Sequence, residues 1–302
     1  MPVALPPLPA TAVIRDVGPR DGLQPEAPVS VADRVRLVEA LVASGVRRIE
    51  AAAFVSPRAV PAMAGAAEVM AAVPRSAEVS YSALVPNLRG AELALEARAD
   101  ELTVTISLSE TYNQANVHMS MAESEAVIAD VCALAGATPV DAVISCSFGS
   151  PYEGDIDPSS VLELSRRLRD SGCAAITCAD TTGMATPRRI VEVVDALGTD
   201  IGLHLHDTRG TALACAHTAL QLGVNRFDTS VGGLGGSPFA TGATGNLATE
   251  ELVAVLDDLG VATGIDVHGL IAAAAIVSEL VGRPVPSRVA TAGPRTRLAR
   301  GS

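Results

Sequence analysis

Residues 13–24 read VIRDVGPRDGLQ, and the turn inside them decides between two α/β architectures. The run from Val13 to Val17 is short and rich in β-branched residues, as a strand is. An open doubly wound sheet places a glycine-rich phosphate turn, GxGxxG or a Walker pattern, directly after its first strand. Here VGPRDGLQ carries Pro19, Arg20 and Asp21 in that place. The open sheet loses its main signature.

Working outward, short β-branched runs alternate with longer Ala, Leu, Arg and Glu segments, the pattern of repeated βα units around a parallel sheet. The predicted strands are eight: Val13 to Val17, Arg48 to Ala52, Glu78 to Leu84, Glu101 to Ser107, Val140 to Ser147, Ala174 to Cys178, Ile201 to His206 and Arg226 to Ser230. Helical stretches between them include Val31 to Ala43, Pro61 to Ala72, Glu123 to Ala135, Pro158 to Asp170, Pro187 to Leu197, Thr211 to Leu222 and Leu247 to Leu259. Eight such units predict a closed (β/α)8 TIM barrel of the α/β class. Residues 1–302 then form a single TIM-barrel catalytic domain. A flexible proline-rich arm (1–11) precedes it, and a short C-terminal helical extension (about 260–302) follows, with a helix from Ile265 to Leu280 and the basic tail RTRLAR at 295–300.

Composition narrows the partners. A hydrophobic content of 48% supplies a large core, while aromatics at 2% leave no base-stacking platform and a net charge of −12 repels a phosphate backbone. Nucleic acid is excluded as a partner and a small molecule is favoured. The five cysteines form no CxxC pair and read as reduced, mostly buried thiols. The opening MPVALPPLPAT lacks the basic region of a signal peptide, and no run reaches the roughly 18 apolar residues of a membrane helix. No membrane association is expected, and the predicted location is cytoplasmic.

In such barrels the active site is built at the C-terminal ends of the strands. Arg20 and Asp21 follow the first strand, Glu50 lies on the second, Asp180 and Thr181 follow the sixth, and His204-Leu205-His206-Asp207 ends the seventh. Side chains alternate along a strand, so both imidazoles of the HLH triplet face one side and can hold one ion, the alternative being two hydrogen-bonded core histidines. Asp21, at the end of the first strand, lies near the seventh across the barrel mouth, and Asn246 can add an amide oxygen. A mixed O/N set without thiolate favours Mg2+ or Mn2+ over structural zinc, with catalytic zinc as the alternative. Arg20 is suited to stabilising a developing enolate oxygen or to a structural pair with Glu50 or Asp16. His217 and His268 read as structural or surface residues, and His118 is left open. The pocket walls are expected from Ala53, Tyr112, Asn113, Gln114 and Phe148.

The chain resembles the 3-hydroxy-3-methylglutaryl-CoA lyase family of the DRE-TIM metallolyases. The resemblance rests on VGPRDGLQPE (17–26), IEAAAFVSPRAVPAM (49–63), VPNLRG (85–90), SCSFGSPYEG (145–154), DTTGMATP (180–187), LHLHDTRG (203–210) and GGLGGSPFATGATGNLATEE (232–251). It implies a divalent metal on Asp21, His204, His206 and Asn246, and an acyl-CoA thioester as substrate. Arg20 would hold the thioester carbonyl, Gln24, Gly235 and Gly236 would lie against substrate, and Glu50, Asp180, His206 and Ser237 would join Arg20 and Asp21 in the catalytic set. The implied reaction is a retro-Claisen cleavage to acetyl-CoA and a 3-oxo acid, acetoacetate for the usual substrate of leucine degradation. A homodimer or higher homo-oligomer is expected.

Family members usually carry cysteine where this chain has Ser237, and commonly a second where it has Ser150. A thiol ionises near pH 8.5, whereas an alcohol is far less acidic and a poor proton shuttle. Three readings follow: a lyase in which His206, Asp21 or a water handles the proton, on the usual or a different 3-hydroxyacyl-CoA; a Claisen-condensing relative; and a non-catalytic acyl-CoA-binding paralogue.

Overall fold

The computed structural model describes residues 7–236 and 245–296. Eight parallel strands close into a barrel in sequence order: β1 (Val13–Asp16), β2 (Arg48–Ala53), β3 (Ser80–Leu84), β4 (Glu101–Ser107), β5 (Val140–Ser145), β6 (Ala175–Ala179), β7 (Gly202–His204) and β8 (Arg226–Thr229), with β8 pairing back onto β1. The TIM barrel is the architecture expected from the sequence.

Helices α1 (Val31–Ala43), α6 (Pro158–Asp170) and α7 (Pro187–Leu197) begin and end where the sequence places them. Their starts are chemically marked. Ser30, Asp157 and Thr186 each accept a hydrogen bond from a first-turn N–H, and in α6 and α7 a proline follows the cap. The stretch predicted as one helix from Pro61 splits into a 3-10 turn (Pro61–Met63) and α2 (Ala66–Ala72).

Two helices were missed, α3 (Leu88–Glu96) and α4 (Glu110–Val117). The first carries a glycine in its opening turn, an unfavourable helix residue. Gly90 stands there because a Cβ would come within 2.8 Å of the Phe54 carbonyl oxygen. The second, ETYNQANV, shows no sustained apolar stripe.

The remaining helices are α5 (Met121–Ala135), α8 (Ala212–Leu222), α9 (Thr249–Leu259), α10 (Val267–Val281) and α11 (Arg288–Ala292). Helix α9 starts later than predicted because Asn246 and Ala248 are first used in bridges to His206 and Ser230. The C-terminal extension is α10, which packs on α1, followed by α11. Among the described residues, no helix is long and apolar enough to cross a membrane.

The apolar core is the layer between strands and helices, where Ile14, Ile49, Tyr81, Leu102, Ile144, Ile176, Leu203 and Phe227 are all buried. The interior of the barrel is different. Alternate residues of the same strands, Arg15, Glu50, Ser82, Glu101, Thr103, Asp141, Thr177, His204 and Asp228, are buried and polar. TIM-barrel interiors are ordinarily filled by branched apolar layers. Here the layer is charged instead.

Candidate active site

The chain leaves β1 through a single π-turn, Gly18–Gly22, whose Arg20, Asp21 and Gly22 N–H groups all donate to the Val17 carbonyl oxygen. Asp21 therefore lies on this turn rather than at the strand end, a correction to the sequence reading. Asp16 anchors the turn by accepting from Gly18 N–H at 2.8 Å, Val231 N–H at 3.0 Å and the Thr249 hydroxyl at 2.6 Å. Burial pushes its carboxyl up to about 7, against the pull of these donors. Arg20 pairs with Glu50 through Nε and with Asp21 Oδ1 through Nη1 at 2.7 Å, not with Asp16.

Across the mouth, β7 ends in His204 because the chain then bends so that His206 can bridge Asn246. The two Nε2 atoms lie 3.2 Å apart, and His204 Nε2 is 3.9 Å from Asp21 Oδ2. Ligand atoms of Asp21, His204 and His206 all fall within 4.8 Å of one another. Burial alone would raise the Asp21 carboxyl, but Arg20, then His204 and His206, outweigh it and hold the group down at about 2. Burial disfavours a charged His204, yet hydrogen bonding to Asp228 and the charges of Asp21 and Asp228 shift it above the usual imidazole range.

Asn246 completes the cluster. Its Nδ2 donates to Asp21 Oδ2 at 2.7 Å and to the Leu234 carbonyl at 3.0 Å, while its Oδ1 is buried without a hydrogen-bond partner. An orphaned buried oxygen costs stability unless something binds it. Two imidazoles, a carboxylate and an unsatisfied amide oxygen form a donor set that fits a divalent cation. Gly235 lets the loop approach: a Cβ there would sit 2.4 Å from Asn246 Nδ2, and its φ of +114° is a glycine conformation.

The HMGL-like family profile matches residues 12–277, from β1 through most of α10. The chain belongs to the HMGL-like family. It is 41% identical to the 3-hydroxy-3-isohexenylglutaryl-CoA/hydroxymethylglutaryl-CoA lyase of Pseudomonas aeruginosa, over 94% of this chain and 98% of that one. It is likewise 41% identical to the hydroxymethylglutaryl-CoA lyase of Bacillus subtilis, over 93% and 97% respectively. Among solved structures, an HMG-CoA lyase from Acinetobacter baumannii, in complex with coenzyme A and 3-methylmalate, superposes with a TM-score of 0.92 at 38% identity, covering 97% of this chain and 98% of that one. The protein is an oxo-acid lyase.

The lyase cavity opens at this cluster, with a volume of about 780 Å3 out to solvent. Arg20, Asp21, Gln24, Glu50, His204, His206 and Gly236 line it. Gln24 Oε1 stands 3.5 Å from Arg20 Nη1, and Glu50 Oε1 is buried without a partner. Asp180 is adjacent but not on the wall, which its neighbours Ala179 and Thr181 form. Its Oδ1 accepts from Met184 and Ala185 N–H at 2.6 and 2.9 Å, and burial pushes its carboxyl up to about 7. Gly235 is likewise off the wall. Ser237 lies outside the described residues.

The expected pocket walls are largely corrected. Tyr112 lines the lyase cavity, but Ala53, Asn113, Gln114 and Phe148 do not. Asn113 is a lock, bonding Ser107 N–H, the Met119 carbonyl and Ser124 Oγ. The walls come instead from Leu84, Thr105, Asn116, Val143, Ser145 and Thr181. Counting alternate residues towards strand ends would have found Leu84, Thr105 and Ser145. Arg15 and Asp228 also line the floor and were missed; a charged residue inside an apolar strand run was the available signal. His118 and His268 are exposed and His217 half-buried, and none of the three lines the cavity. Burial pushes the Cys146 and Cys178 thiols up to about 11 and 12, consistent with inert core residues.

Proposed function

We propose that this lyase uses a divalent cation, Mg2+ or Mn2+, to cleave 3-hydroxy-3-methylglutaryl-CoA, or a homologue with another 3-alkyl group, into acetyl-CoA and a 3-oxo acid. The single observation that carries the reading is the meeting of Asp21, His204 and His206 beside the Arg20 guanidinium, with Asn246 bonded to Asp21 through Nδ2 and its Oδ1 left unsatisfied. When bound there, the cation would acidify the C3 hydroxyl and orient the leaving acid. Loss of that proton starts the reaction; His206 Nε2 would be taken up as a ligand of the cation, which leaves the Asp21 carboxylate or a water as the base that receives it. As the C2–C3 bond breaks, its electrons pass to the thioester carbonyl, where Arg20 donates to the enolate oxygen. Glu50 fixes Arg20 through Oε2, Gln24 and Gly236 bound the acyl group, and Asp180 and Gly235 position the loops around it.

The thioester class is supported by the coenzyme A bound in the A. baumannii relative. We read residues 1–302 as one catalytic domain acting in a cytoplasmic homo-oligomer. A panel of 3-hydroxy-3-alkylglutaryl-CoA thioesters, assayed with metal-loaded protein for release of the 3-oxo acid, tests the substrate. The methyl compound or a near homologue is expected to turn over. No acid from any member would refute the reading.

Ser237 gives a second, smaller expectation. Placed by sequence at the family's loop-thiol position, its alcohol cannot match a thiol as proton shuttle near neutral pH. Ser237→Ala should therefore cost no more than about tenfold, the scale on which a single hydrogen bond counts. Ser237→Cys should raise turnover and make it sensitive to thiol alkylation, while the parent stays insensitive. A severe loss in Ser237→Ala without gain in Ser237→Cys would assign the hydroxyl a dedicated role.

A further inference from the structure

The parallel register sets three charged or ionisable residues side by side inside the barrel: Arg15 on β1 pairs in register with Asp228 on β8, which pairs with His204 on β7. Arg15 clamps Asp228 in bidentate fashion, Nε to Oδ1 and Nη2 to Oδ2, both at 2.8 Å. Asp228 Oδ2 in turn lies 3.3 Å from His204 Nδ1, on the ring edge opposite the Nε2 that faces His206 and Asp21. Arg15 is itself fixed from the far wall by Glu101 at 2.9 Å and Asp141 at 2.8 Å. Arg15 and its three carboxylate partners are all buried.

Such a cluster does not explain itself as a source of stability. Buried ion pairs are often replaceable by packed apolar residues at no cost, and this layer of a TIM barrel ordinarily is apolar. The arrangement has a chemical consequence instead. An ionised carboxylate held by a guanidinium can only accept, so the imidazole nitrogen facing it must carry the proton. The other nitrogen then presents its lone pair to the mouth of the barrel.

We propose that Arg15 and Asp228 are positioning residues for the cation site: Arg15 immobilises Asp228, and Asp228 fixes the His204 ring as the Nδ1–H tautomer with Nε2 aimed at the Asp21–His206 cluster. This rests on the metal reading given above and extends it to two residues that act on the cation through its His204 ligand. Outer partners of metal-bound histidines typically change affinity 10- to 100-fold when removed.

The test uses full-length protein with 15N-labelled histidine, stripped of divalent cations with a chelator and held at alkaline pH so that the ring is neutral, since a cation on Nε2 would itself impose the Nδ1–H form. There are five histidines, so the His204 ring can be assigned by its disappearance in His204→Ala. Two-bond 1H–15N correlations are expected to show Nδ1 protonated and Nε2 bare in the parent. Asp228→Asn and Arg15→Met should give mixed tautomers, and free-Mn2+ EPR titration should show Mn2+ affinity weakened about 10- to 100-fold, with Arg15→Lys losing less. If a variant does not fold by circular dichroism, the parent tautomer alone decides. An Nε2–H ring in the parent overturns the proposal, as do folded Asp228→Asn and Arg15→Met variants that bind Mn2+ within twofold of the parent. Unchanged Mn2+ affinity in His204→Ala would strike the underlying metal reading and the proposal with it.

Discussion

Stripping divalent cations from the protein with a chelator is expected to reduce thioester cleavage to background, and added MgCl2 or MnCl2 to restore it. The argument starts from the donors. Asp21, held at about 2, stays a carboxylate throughout the working pH range, and the Nε2 atoms of His204 and His206 lie 3.2 Å apart within reach of it. Asn246 spends its amide hydrogens on Asp21 and Leu234, which leaves Oδ1 as the free end. Four protein donors leave positions for substrate oxygens in a six-coordinate shell, which suits Mg2+ or Mn2+. His204→Ala and Asp21→Ala should each weaken Mn2+ binding while circular dichroism reports an intact barrel. Full turnover in protein shown by elemental analysis to be metal-free would remove the mechanism.

The clustering of Asp21 with His204 and His206 was legible in the sequence because period-two alternation puts His204 and His206 on one side of a strand, and because closure of an eight-stranded barrel brings β1 beside β8 and close to β7. Those are consequences of regular geometry. What was not legible depended on irregular backbone or on pairing across the interior. The π-turn that carries Arg20 and Asp21 has no propensity signature, and only the Asp16 contacts to Gly18, Val231 and Thr249 show how it is held. Asn113 looked like a wall residue because it is polar and follows β4, yet it bonds inward to Ser107 and Ser124. Arg15 lay in plain view inside VIRDV, but its meaning required the register that places Asp228 and His204 beside it.

Arg20→Gln is expected to lower kcat by about a hundredfold or more, the scale seen when a donor to a developing oxyanion is removed. The structure explains why glutamine cannot substitute. Arg20 engages Glu50 through Nε and Asp21 through Nη1, so its guanidinium plane is fixed before substrate arrives and its remaining donors need not reorganise. Arg20→Lys keeps the charge but not the fork, and should fall between parent and Arg20→Gln. The variant also removes the Nε–H donor to Glu50 Oε2 and the strongest influence holding the Asp21 carboxyl down. Part of any loss could then come from a weakened cation site. Two measurements separate these causes. Mn2+ affinity should change far less than kcat, because Asp21 keeps its bond from Asn246 and both imidazoles remain. Exchange of the acetyl-CoA methyl protons into D2O, which needs the enolate but not C–C cleavage, should fall in parallel with kcat in metal-saturated protein. Normal cleavage by Arg20→Gln would end the enolate assignment. A loss in kcat fully recovered by excess MnCl2 would transfer Arg20 from the chemistry to the support of Asp21.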